Sequence, residues 1–208
     1  MDTFSKMTKE QQEKMIKGMY GDPNDQIPYF AALGRLIVNY SSAEREVRLL
    51  AHQLSGLKEA IARKIFSGMR SEDIEGCIRQ MMKVNNLDEA LCHRVNECLT
   101  HFKEIGKCRN KLAHRKVSYL DKLLHVTNEF TAKSKESIEI EQFTLTDLEN
   151  MMRDLTIIGL RIDSVRRPKR FVELSGKLQK NFQAILKVEW LHKPVSRENK
   201  KKTASKVA

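Results

Sequence analysis

The sequence predicts a mainly helical, all-α bundle of antiparallel helices with a small β-hairpin or extended arm near 120–144. Three observations carry that expectation. Apolar residues recur at three- and four-residue steps over long stretches. Aromatic residues make up only 6% of the 208-residue chain, which speaks against a many-stranded sandwich. Only 4 Pro and 9 Gly interrupt the chain, and a 40% hydrophobic content suffices for one core with an appendage.

Residues 6–19 are polar apart from Met7, Met15, Ile16 and Met19, so they predict a weakly anchored helix, which Gly21, Pro23 and Pro28 end in a turn. From Tyr29 onward Phe30, Leu33, Ile37, Tyr40, Val47, Leu50, Ala51 and Leu54 mark one long amphipathic helix to about Gly56. Shorter helices are expected at 58–67 and 72–83, the second capped by Ser71 with Glu72 and Asp73 in its first turn. Leu91, Val95, Leu99, Phe102 and Ile105 define another long helix from about Asp88 that leads to Gly106. KLLHVTNEF and SIEIEQFTL read as the two strands of the arm. Thr146 with Glu149 forms a capping-box signature for a helix to about Val165, which Pro168 separates from a last helix near 170–188. The expected organisation is an N-terminal helix and turn (1–27), a bundle (28–165), a basic helix (166–192) and a disordered basic tail (193–208).

The net charge of +11 is uneven: from Arg161 to Ala208 fourteen basic residues face four acidic ones, leaving the other 160 residues at about +1. Such asymmetry points to a polyanion partner, nucleic acid above all, with an acidic protein or an anionic membrane surface as the lesser alternatives. Arg166, Arg167, Lys169, Arg170, Lys200, Lys201 and Lys202 are the candidate contacts here. No stretch approaches the roughly 18 apolar residues of a membrane span, and no basic-then-apolar leader opens the chain, so a cytoplasmic protein without a membrane partner is expected. The four cysteines form no C-x-x-C pair. Cys98 and His101 share a helical face, but no second pair completes a zinc site, and neither metal nor cofactor is expected.

The segment CRNKLAHRK, residues 108–116, carries the chemistry. Asn110 and His114 are four apart and share a helical face, whereas Arg109 points about 140° away from His114 on a regular helix. Arg109 can join them if its arm wraps back, or if the helix starts or bends at Gly106. A helix start would also offer backbone N–H groups to a phosphate. His exchanges a proton near neutral pH, Arg holds a phosphate with fixed charge, and Asn can orient either. Those parts suffice for metal-free RNA cleavage through the 2′-hydroxyl, a nucleophile that DNA lacks. Lys107, Lys111, Arg115 and Lys116 surround the motif as candidate nucleic-acid contacts, or as a solvated cationic face.

RNKLAH resembles the Arg, four to six residues, His signature of the HEPN (higher eukaryotes and prokaryotes nucleotide-binding) domain family. The helix ALGRLIVNYSSAEREVRLLAHQLSGL is similar to the one that opens many bacterial members, Tyr40 and Glu44 matching a recurrent aromatic and Glu. The resemblance covers about residues 28–165. It implies a helical bundle, a homodimer with facing motifs, and a metal-independent endoribonuclease of the kind found in toxins and antiviral effectors. Arg109 and His114 would then be catalytic, Asn110 supporting, and Glu44 and Tyr40 partners behind them. An antitoxin or regulatory protein is a further expected partner.

The alternative is a non-catalytic helical adaptor or nucleic-acid-binding module that dimerises, since family members include scaffolds without catalysis. Glu44 can equally pair with Arg45 or Arg48 on its own helix. Trp190 can stack on a base or pack a helix end.

Overall fold

The computed structural model describes residues 7–20, 22–173 and 176–193. Its elements in chain order are α1 (Lys9–Tyr20), α2 (Pro23–Ser55), α3 (Glu59–Phe66), α4 (Ser71–Val84), α5 (Glu89–His114), β1 (Lys116–Leu120), β2 (Leu123–Thr127), β3 (Ile140–Phe143), α6 (Leu145–Arg166), α7 (Pro168–Val172) and α8 (Gly176–Leu186). The chain is mainly helical with a small antiparallel sheet, as its periodicity predicts. No helix among the described residues is long and apolar enough to cross a membrane.

Two compact units divide the chain. One comprises Met1–Val38 and Cys108–Glu149, the other Asn39–Lys107 and Asn150–Ala208. In the second, helical spacing aligns Tyr40, Ala43, Val47 and Leu50 of α2, Ile74, Ile78 and Met82 of α4, Val95, Leu99, Phe102 and Ile105 of α5, and Met151, Leu155, Ile158 and Ile162 of α6, all buried. In the first, Ala32, Leu36, Leu112, Leu124, Val126, Phe143 and Leu148 are buried. Phe30, expected in the apolar stripe of α2, is 48% exposed because the buried phase there runs through Ala32 and Leu36.

The sheet has the order β1-β2-β3, with Ser118 opposite His125 and His125 opposite Gln142. β2 and β3 fall within the two expected strands; β1, KVSYL, is an addition. Asp121 and Lys122 join β1 to β2 with φ of 51° and 59°. That is the left-handed pair of a type I′ turn, whose twist matches the flanking strands. The Tyr29 hydroxyl donates to the Lys122 carbonyl, and the Tyr29 ring meets Tyr119 edge-on at 5.1 Å.

Several helix ends differ from expectation. Pro23 and Pro28 do not form a turn: Pro23 opens α2, where a missing N–H costs nothing, and Pro28 forfeits a single bond inside it. Ser71 is not the cap of α4. Arg70 holds that position, and the Ser71 hydroxyl instead donates to Glu44 Oε1 at 2.6 Å. The capping box of α6 lies two residues earlier than predicted, with Thr144 Oγ1 accepting from the Asp147 N–H at 3.0 Å and Asp147 Oδ2 accepting from the Thr144 N–H at 2.8 Å. The single helix expected near 170–188 is two, α7 and α8. The tail from 194 onward lies outside the described residues.

Gly106 does not mark a helix start. α5 runs unbroken from Glu89 to His114, and Gly106 is buried where the Tyr40 ring lies against it. A Cβ at this position would stand 2.9 Å from Tyr40 Oη but 3.4 Å or more from the ring carbons. Tyr40 in turn stacks on Phe102 at 4.7 Å. Gly106→Ala should therefore destabilise the protein by about 1–3 kcal/mol through overpacking. The loss should be markedly smaller in a Tyr40→Phe background, as a double-mutant cycle of urea unfolding would show.

Candidate functional site

The unbroken course of α5 places Arg109, Asn110 and His114 in its last two turns, at the carbonyl end of the helix. A helix start at the motif is thus overturned: this end exposes no unpaired N–H groups, and its dipole favours cations over a phosphate. Any phosphate held here must be held by side chains.

Within this unbroken helix Arg109 is tied to its neighbour Asn110. Arg109 donates from Nη1 to Asn110 Oδ1 at 2.9 Å, so its guanidinium is drawn round the helix toward the face that Asn110 shares with His114. Arg109 is half-buried, while Asn110 and His114 are exposed. A fixed cation, the amide that orients it and an imidazole one turn further on are therefore accessible on one stretch of helix.

The basic residues around the motif are tied to carboxylates. Lys107 pairs with Glu104 at 2.6 Å, Lys111 with Glu141 of β3 at 2.5 Å, Arg115 with Glu139 at 3.4 Å and Lys116 with Glu129 at 2.9 Å. The last three acids all follow β2 in the chain, so the segment that brings the sheet together also supplies counter-charge to the helix end. Four cations so paired attract a polyanion less strongly than their number suggests.

The other expected site residues lie in the second unit. Glu44 accepts from Arg48 at 2.9 Å and from Ser71, and Arg48 also donates to the carbonyls of Phe66 and Met69, so this cluster ties α2 to the α3–α4 junction. Tyr40 is a core residue against Phe102 and Gly106. Arg166, Arg167 and Arg170 converge on Asp163, at 3.0, 2.6 and 3.7 Å, and Arg166 also reaches Glu46 at 2.8 Å, while Lys169 is exposed. Lys200, Lys201 and Lys202 lie outside the described residues.

Besides Asp163, sequence reasoning passed over two buried carboxylates, although each falls in the apolar phase of its helix. Asp154, fully buried on α6, accepts from His101 Nε2 at 2.9 Å and from the backbone N–H groups of Leu191 and His192. Burial alone would raise its carboxyl; these hydrogen bonds outweigh that and hold it below its ordinary value. Trp190 stacks on His101 at 4.5 Å and lies under the Arg161 guanidinium at 4.4 Å, which makes it a packed residue rather than an open stacking platform. His101 thereby serves Asp154, and burial pushes the neighbouring Cys98 thiol up to about 12. Among the described residues no group of three or more His, Cys, Asp or Glu side chains is placed to hold a metal ion.

Glu75, on α4, is the second. Burial pushes its carboxyl up to about 7, against the pull of Lys103 and Arg79 and with the help of Glu72. Between its ordinary 4.5 and about 7 the folded protein binds a proton that the unfolded chain does not, so stability falls as pH rises through that window. Urea midpoints measured from pH 5 to 8 should decline in the wild type and flatten in Glu75→Gln.

No family model matches the chain, and no match was found among curated proteins or solved structures.

Proposed function

We propose that the protein is a metal-independent endoribonuclease of HEPN type, acting through Arg109, Asn110 and His114. The observation that carries this reading is the Arg109–Asn110 hydrogen bond, which draws a fixed positive charge toward the helix face of an exposed histidine. Its fold-level support is a mainly helical chain in which a long helix leads into the motif. The resemblance of RNKLAH to the family signature supplies the reaction.

In that reaction His114 takes the proton from a ribose 2′-hydroxyl as the 2′-oxygen attacks the adjacent phosphorus. The bond from phosphorus to the 5′-oxygen breaks, that oxygen leaves with its electron pair and is protonated by solvent, and the products carry a 2′,3′-cyclic phosphate and a 5′-hydroxyl. Arg109 stabilises the charge that grows on the non-bridging oxygens, and Asn110 keeps the guanidinium aimed. The step is a transesterification and needs no oxidant, metal or added nucleophile. A homodimer with facing motifs belongs to the same reading, as do an antitoxin-like partner and a toxin or antiviral role.

A second reading is favoured by the pairing of Lys107, Lys111, Arg115 and Lys116 with carboxylates, which leaves little open cationic surface beside the motif. In it the protein is a non-catalytic RNA-binding or adaptor module whose affinity comes from its C-terminal basic residues.

Incubation of a mixed RNA pool and a matching DNA pool with the protein in EDTA, followed by end-group analysis, separates the two. Wild type should cut RNA alone and leave cyclic-phosphate ends. His114→Ala should lose about 10²–10⁴-fold in rate, and Arg109→Ala about 10²–10³-fold. Asn110→Ala, which removes one orienting bond, should lose about tenfold. All three side chains are at least partly exposed, so the variants should remain folded. Cleavage that persists in His114→Ala, or RNA that folded wild type binds without cutting, would overturn the nuclease reading.

A further inference from the structure

The geometry points to Phe130 as a base-stacking residue that selects single-stranded RNA, an inference that rests on the RNA reading of the neighbouring motif. Phe130 is 82% exposed, more than any other large hydrophobic side chain among the described residues. Singly exposed apolar residues are common and by themselves need no explanation. This one is presented by a built turn.

Asn128 is the hub of that turn. Its carbonyl accepts from the N–H groups of Thr131 at 2.8 Å and Ala132 at 2.9 Å, and from the Thr131 hydroxyl at 3.1 Å. Its side chain accepts from the Glu139 N–H at 2.7 Å and donates to the Ser137 carbonyl at 3.3 Å, which closes the whole 128–139 loop. A reciprocal capping box between Ser134 and Ser137 fixes the return. Phe130 stands at the apex between these bonds. So exposed a ring contributes little to folding, whereas a preorganised aromatic face offers a partner contact area at low entropic cost.

Lys116 connects this ring to the motif. It opens β1 two residues after His114, pairs with Glu129, and holds its ammonium 5.7 Å from the Phe130 ring centroid. Two residues of chain span at most about 7 Å. With the lysine stem and the ring contact added, Phe130 lies within about 20 Å of the His114 backbone, a gap that a few nucleotides of extended single strand bridge. The same loop carries Lys133 and Lys135, both exposed and able to meet flanking phosphates. An exposed aromatic face with Lys133 and Lys135 on its own loop, beside the Lys116–Glu129 pair, offers an unpaired base a place to stack, because every base has a π-face and duplex bases keep theirs stacked.

The test uses full-length protein carrying His114→Ala, so that RNA is bound without being cut. Its probe is an eight-nucleotide single-stranded RNA with one 2-aminopurine, free or annealed to its complement. Phe130→Ala should weaken single-strand binding by about tenfold or more and abolish the stacking quench of the 2-aminopurine, while Phe130→Trp should retain both. The salt dependence of affinity should stay unchanged in Phe130→Ala, since no phosphate contact is lost, and duplex affinity should hardly move. Single-strand affinity that is equal with and without the Phe130→Ala substitution would overturn the stacking role, as would a single-strand probe that neither protein binds. Cleavage by the protein with His114 intact is scored separately, so the nuclease reading stands or falls on its own result.

Discussion

The Tyr40 ring lying against Gly106 governs the course of α5. Any side chain at that position would meet the tyrosine oxygen at 2.9 Å, and glycine removes the obstacle without breaking the helix, because the neighbouring turns bury Phe102 and Ile105. The burial of two large side chains on the same stretch outweighs the roughly 1 kcal/mol that glycine costs a helix. From that continuity follows the polarity of the motif. Arg109, Asn110 and His114 come at the end of α5, so the backbone would offer a phosphate nothing there and any recognition of one would fall to the side chains.

That polarity also orders the charges. A helix C-terminus gathers cations, and Lys111, Arg115 and Lys116 accumulate where the dipole is negative. Left alone they would repel one another. Glu129, Glu139 and Glu141 relieve this from the chain segment that follows β2, and in doing so they fix the approach of that segment to the helix. Pairs of this kind at a part-exposed surface stabilise modestly, by about 1 kcal/mol or less each. They also balance the charge of this surface, and a balanced surface steers polyanions weakly.

The parts of this arrangement that periodicity controls were legible in the sequence. The apolar steps of α2, α4, α5 and α6 report burial directly, and so did the nearness of Arg109, Asn110 and His114 in one helical segment. What could not be read were features decided by contacts distant in sequence. Gly106 looks like a hinge until Tyr40, sixty-six residues earlier, is known to occupy the space beside it. Ser71 and Thr146 carry cap chemistry, but Glu44 captures the first, and Thr144 with Asp147 caps α6 ahead of the second. β1 is short, and its apolar residues alternate too weakly to stand out until β2 pairs with it. Asp154 and Glu75 lie in phase with buried neighbours and could have been flagged on that ground; their partners could not.

The same long-range contacts change the meaning of the basic C-terminal quarter. Arg161 donates to the Val188 carbonyl at 2.6 Å and covers Trp190, while Asp154 fixes the N–H groups of Leu191 and His192. The segment 188–192 is thereby strapped to α6 by a buried carboxylate and an arginine that composition would count as a phosphate contact. Arg166, Arg167 and Arg170 share Asp163 in a similar way. Part of the charge excess is therefore structural, committed within the fold to carbonyls and carboxylates. Outside the Asp163 cluster, the exposed cations that this quarter presents among its described residues are lysines: Lys169, Lys180, Lys187 and Lys193. Lysine meets phosphate as a mobile point charge rather than as a bidentate fork, so any polyanion that met this surface would be held loosely and in a salt-sensitive way rather than by one geometry.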